Sequence, residues 1–187
     1  MTFDELLARL QEFDLILDAD PKFPSITGFV TGDAVRGSWW AHPQSKEMYQ
    51  LACRLRDHPD VLLAKLISGK VTLIHRPLWP AIFAVGTARE PWQMQALSKE
   101  ARALLKQVDK EATVQSSGDK VRELEARLLV HSESVHTERG FHMKQLRRWQ
   151  SSDLKAAEAK AQLEAVVARL NKQFNARGTL PWQKKIR

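Results

Sequence analysis

The chain predicts an α+β fold, mostly helical, with one antiparallel β-hairpin at about 61–76 packed on helices and a long helical C-terminal part. Three observations carry this. Two short β-branched runs, Val61–Ile67 and Val71–His75, flank Ser68-Gly69-Lys70, the loop length of a three-residue hairpin. Apolar residues recur at helical spacing before and after that pair. From Asp119 to Asn175 the sequence is rich in Ala, Glu, Lys, Arg, Leu and Gln, the good helix formers.

In chain order, Thr2 and Glu5 form a capping-box pattern. Phe3, Leu6, Leu7, Leu10, Phe13 and Leu17 then mark one face of a helix expected to end at Asp18–Pro21. Residues 21–38 hold two prolines and three glycines and predict a loop, with a short strand at Ile26–Val30. Trp39 and Trp40 in a strand would point to opposite faces, either as core and cover or as a stacking surface for a planar ligand. Pro43 opens a helix with Met48, Leu51, Ala52 and Leu55 on its buried side, ending near Asp57. Cys53 lies within it and reads as an inert thiol. Ala81–Val85 is a short apolar helix, and another runs from about Trp92 to Val108. Lys110–Gly118 is the best boundary, dividing a core domain, 1–112, from a helical region, 113–187. That region reads as two long helices, or as one bent near Gly140 or Ser151-Ser152. Its last face runs Ala156, Ala159, Leu163, Val166, Val167, Leu170 and Phe174.

Composition narrows the class. A hydrophobic share of 43% in 187 residues supports a sizeable core, and a single cysteine excludes an internal disulfide and fits a reducing compartment. The N-terminus lacks a signal-peptide pattern and no 18-residue apolar stretch exists, so a cytoplasmic protein without a membrane span is expected. The net charge of +7 is uneven: residues 1–35 carry seven acids and two bases, residues 93–187 nineteen bases and eleven acids. A basic C-terminal half points to a polyanionic partner, DNA or RNA, or simply to a solvated helical surface.

Candidate sites fall into three groups. Trp39, Trp40, His42, Lys70, His75, Arg76 and Trp79 concentrate aromatic and donor groups around the hairpin, as a ligand pocket needs. Arg139, Lys144, Arg147 and Arg148, followed by Trp149, join the tail residues Lys184, Lys185 and Arg187 as a basic surface suited to phosphates. His131, Glu138 and His142 share one face if a single helix carries them, a weak metal candidate whose alternative is interfacial packing. No cofactor motif is present: there is no P-loop, dinucleotide-binding glycine pattern or paired-cysteine zinc site. Pro59-Asp60 before a strand and Lys70 resembles metal-dependent nucleases of the PD-(D/E)xK type. Ser68 stands where their second carboxylate belongs, which removes a metal ligand.

The Gly37-Ser38-Trp39-Trp40 to His42-Pro43 string, Ser68-Gly69-Lys70-Val71-Thr72 and His75-Arg76…Leu78-Trp79-Pro80 together resemble a family of small bacterial proteins of unassigned activity. The resemblance covers roughly residues 36–93 and the Val135–Glu138 region. It implies a bacterial, cytoplasmic setting and brings no catalytic residues. The first functional expectation is therefore nucleic-acid binding through a basic helical surface. The alternative is a small-ligand-binding or metal-dependent enzyme with a pocket around Trp39–His42 and Lys70–Trp79. A homodimer through the C-terminal helices is a further expectation.

Overall fold

The computed structural model describes residues 1–33, 38–136 and 142–183. Helix α1 (Phe3–Phe13) opens with the predicted capping box: Glu5 N donates to Thr2 Oγ1 at 3.2 Å, and Thr2 N to Glu5 Oε2 at 2.7 Å. It stops before Leu17, because Asp14 adopts a left-handed conformation with φ 67°. Leu15–Leu17 then form strand β1, all three residues buried. The run LIL satisfies either period, and pairing on a sheet covers it more completely than one face of a helix would.

Strands β2 (Val61–Lys65) and β3 (Val71–His75) form the predicted hairpin, in register Val61↔His75 and Lys65↔Val71. The connection is longer than the predicted three residues. Leu66 and Ile67 leave the sheet to be buried, and Ile67 N donates to Thr72 Oγ1 at 3.0 Å. Strand β1 joins the far side of β3, so this sheet has the order β1-β3-β2.

Three local expectations change. Ile26–Val30 is not a strand but lies in helix α2 (Ile26–Thr31), because Ser25 caps it, accepting from Gly28 N at 3.2 Å. Trp39–Ala41 is a single 3-10 turn, so the adjacent indoles do not part but stack with centroids 4.1 Å apart. Helix α3 (Ser45–Arg56) and helix α4 (Trp79–Thr87) follow the pattern. The expected Trp92–Val108 helix is divided into α5 (Pro91–Met94) and α6 (Lys99–Lys110). Glu90 with Gln93 caps the first and Ser98 the second, accepting from Ala101 N at 3.1 Å.

The largest correction concerns the expected long helices. After strand β4 (Val114–Ser116), helix α7 (Asp119–Ala126) ends near Leu128, whose φ is 52°. The chain continues as strands β5 (His131–His136) and β6 (His142–Arg147). Instead of one hairpin there are two sheets, the second antiparallel with order β4-β6-β5. The physical reason is local. HSESVH has no strong helix former beyond its glutamate, and β6 must cover Val114 with Leu146, its register partner. Only α8 (Ala156–Gln173) keeps the predicted long helix, with Ala159, Leu163, Val167 and Leu170 buried.

One apolar core gathers β1–β3, α1, α3, α4 and α8, together with Leu128 and Trp149. The other lies between α6, α7 and the β4-β6-β5 sheet. Helix α8 packs on α4 of the same chain, so the face offered by the sequence to a second copy is covered within the chain. Strands β2 and β5, each at the outside of its own sheet, approach within 8 Å between Cα atoms. No helix among the described residues is long and apolar enough to cross a membrane.

Candidate functional site

The approach of β2 and β5 leaves a cleft of about 690 Å³ between the two sheets. Strand β2 gives it an apolar wall with Lys65 at the end. Helix α4 contributes Trp79 and Phe83, and the second sheet contributes His131, Glu133, Lys144 and Arg147. Arg148 and Trp149, which follow β6, close one side, and Arg56 of α3 another.

Trp149 is the structural hinge of this arrangement. Its ring is 8% exposed and its Nε1 donates to Leu128 O at 2.7 Å. It can lie so close to α4 only because residue 86 is glycine. A Cβ at Gly86 would stand 2.6 Å from Trp149 Nε1. Phe83 and His131 flank it, with ring centroids 6.0 and 5.2 Å away, and Trp79 lies 6.4 Å beyond Phe83. The result is a continuous aromatic run along one wall.

Opposite chemistry is held by Glu125 of α7, which is 5% exposed. Lys65 Nζ sits 2.6 Å from Glu125 Oε2, while Ser132 Oγ donates to Oε1 at 2.5 Å and Lys144 Nζ lies 3.6 Å from it. Lys144 Nζ also donates to Ser134 Oγ at 2.9 Å. Burial pushes the Glu125 carboxyl up, but the Lys65 and Ser132 hydrogen bonds and the two lysine charges outweigh it and hold its pKa below the usual range. Glu125 therefore stays ionised and ties the two sheets together. Burial lowers the His131 pKa, with Glu133 opposing and Arg147 adding to the effect, so the imidazole is neutral at pH 7. Asp18 is raised by burial against the pull of Arg56, whose Nη2 donates to Asp18 Oδ2 at 2.5 Å. Arg56 Nε and Asp18 Oδ1 are buried without a partner among the described residues.

The predicted site residues distribute unevenly. Of the seven around the first hairpin, Trp79 lines the cleft. Arg76 pairs with Asp60 at 3.0 Å and stands 5.8 Å over the Trp79 ring. Lys70 pairs with Asp20 at 2.7 Å, beyond the opposite end of β3 from His75. His75 Nδ1 is buried without a partner among the described residues. Trp39 and Trp40 form a separate exposed cluster with Tyr49, 5.5 Å from Trp40, and His42 Nδ1 accepts from Gln44 N. The basic group fares differently: Lys144, Arg147 and Arg148 all line the cleft, on and just after a strand rather than on a helix. Arg139, Lys184, Lys185 and Arg187 lie outside the described residues.

The helical premise of the metal candidate does not hold, since His131 and His142 stand at the starts of β5 and β6, at opposite ends of the ribbon. Glu138 lies outside the described residues, and among those described no cluster suited to a metal is present. Sequence reasoning missed Arg56, Lys65, Glu125 and Phe83. Lys65 carried a readable signal, a charge inside an otherwise apolar strand, which demands a buried partner. Comparison with family models, curated proteins and solved structures finds no match to this chain.

Proposed function

We propose that the cleft between the two sheets binds nucleic acid, with Lys144, Arg147 and Arg148 holding phosphates and the aromatic wall receiving bases. The single observation that carries this is the convergence of five cationic side chains (Arg56, Lys65, Lys144, Arg147 and Arg148) with Trp79, Phe83 and Trp149 in one cleft. Cations beside aromatic faces are the combination that grips a sugar-phosphate backbone and stacks its bases. The three acids of the cleft, Asp57, Glu125 and Glu133, are outnumbered by its five cations. Glu125 is neutralised from within by two lysines, and Glu133 stands 3.6 Å from Arg147 in a pair with both partners 45% exposed. Such an exposed pair contributes little and is readily exchanged for a phosphate. Arg148 is exposed at the cleft, with no acidic partner within 4.0 Å among the described residues.

The test is fluorescence anisotropy with labelled oligonucleotides across a salt series. Binding should weaken steeply with salt. In Arg147→Ala/Arg148→Ala the slope of log affinity against log salt should fall by roughly 0.7 per lost phosphate for a single strand, or about 0.9 for a duplex. An unchanged slope contradicts the proposal.

A second reading keeps the same cleft for a small phosphorylated molecule. Its volume favours this, since ligand sites typically enclose about 300–1,000 Å³. Under that reading a mononucleotide competes as strongly as an oligonucleotide.

A further inference from the structure

Building on the nucleic-acid reading, we infer that the ligand is an unpaired strand, one of whose bases enters the cleft while the adjoining phosphates rest on Arg147 and Arg148. Three features of the wall carry this. First, Trp79, Phe83 and His131 are only half-buried and all line the cleft, beside the buried Trp149. Second, both indole N–H groups are already committed: Trp79 Nε1 donates to Ile74 O at 3.1 Å and Trp149 Nε1 to Leu128 O at 2.7 Å. The rings are thereby fixed in orientation and offer a π-face rather than a hydrogen-bond donor. That favours stacking on any base and gives little readout of base identity. Third, the cleft encloses about 690 Å³ between the two sheets, room for a base but not for a stack of pairs. In a base-paired helix the bases are paired and stacked on one another, so none is offered to the aromatic wall unless the helix opens.

The seat for phosphates is Arg147 and Arg148, both exposed and both lining the cleft. The separate Trp39–Trp40–Tyr49 cluster has none of this setting: it lies outside the cleft, and none of its three rings lines it.

The experiment uses the full chain and three labelled probes at low salt: a short single strand, the same strand annealed to its complement, and a strand of abasic sugar-phosphates of equal length. The single strand should bind about tenfold more tightly than either other probe, the loss that removing one stacked base produces. It should also quench tryptophan fluorescence, and the abasic strand should not. The preference should persist in Trp40→Ala, which removes an indole 60% exposed and outside the cleft. Duplex or abasic strand binding as tightly as the single strand overturns the inference and leaves phosphate-only recognition. Loss of the preference in Trp40→Ala overturns its assignment to the cleft. Failure of all three probes to bind overturns the nucleic-acid reading itself, and this inference with it.

Discussion

The two sheets of this protein share a strand order, first–third–second, and are otherwise built for different ends. The β1-β3-β2 sheet is almost wholly apolar: Leu15, Ile16, Leu17, Leu73 and Ile74 are each at most 1% exposed. The β4-β6-β5 sheet buries Val114 and Leu146, and apart from Val135 and Met143 otherwise carries Ser, His, Glu, Lys, Gln and Arg. One sheet supplies rigidity and the other supplies charge. The proposed binding chemistry lies at their seam, where the charged second sheet is held against the apolar first one. Glu125 is the fastener: it reaches Lys65 on the first sheet and Ser132 and Lys144 on the second.

Removing the fastener should give the largest effect. Glu125→Gln leaves two lysines without their common acid, and loss of one member of a buried ion pair costs about 3–5 kcal/mol, with the lower end expected because both lysines keep some contact with water. Urea denaturation should show the loss, and adding Lys65→Met should recover part of it. The sign with pH follows from the lowered pKa of Glu125. Its contribution is complete above the ordinary glutamate value of about 4.3 and is lost as pH falls through the lower folded value. The variant should therefore lose less stability than the parent on acidification.

Gly86→Ala attacks the seam from the scaffold side. A methyl group there meets the Trp149 ring, which cannot withdraw without surrendering its hydrogen bond to Leu128 O. Overpacking of this kind costs about 1–3 kcal/mol, readable as a lower midpoint in thermal unfolding. Nucleic-acid affinity should fall with it, whereas a Gly32→Ala change, far from Trp149 at a left-handed turn, should affect stability alone.

His131 should give a smaller, pH-dependent effect. Its folded pKa is depressed by burial, so the unfolded chain takes up a proton first as pH falls. Stability is then full above the ordinary histidine value of about 6.5 and declines below it, by at most about 1.4 kcal/mol per pH unit. His131→Gln should flatten that limb below about pH 6.5. The smallest effect on stability belongs to Arg76→Ala: its pair with Asp60 has side-chain exposures of 68% and 34%, and the change should stay within about 0.5 kcal/mol in urea denaturation.

The contrast between the sheets also governs what the sequence could reveal. The first hairpin was legible because Val61–Lys65 and Val71–His75 carry their β-branched, apolar character on their face. The second was not. HSESVH and HMKQLR hold few apolar residues, stand between helix-forming segments, and acquire strand structure by pairing with each other and with β4. Lys144, Arg147 and Arg148 were found as a basic cluster without their strand. Lys65 and Glu125, which are far apart in sequence, could be joined only in three dimensions. The Trp39–Trp40 pair drew attention by composition, yet a 3-10 turn places it away from the cleft.

The most direct test of the central claim is photocrosslinking of the full chain to a single strand bearing a photoreactive base, with the attachment sites mapped by peptide mass spectrometry. If the seam between the sheets is the binding site, the base should attach to peptides containing Trp79, Phe83 or His131, and Arg147→Ala/Arg148→Ala should abolish the attachment. Attachment to the exposed face of α6, or to the Trp39–Trp40–Tyr49 cluster with the seam left untouched, would contradict it.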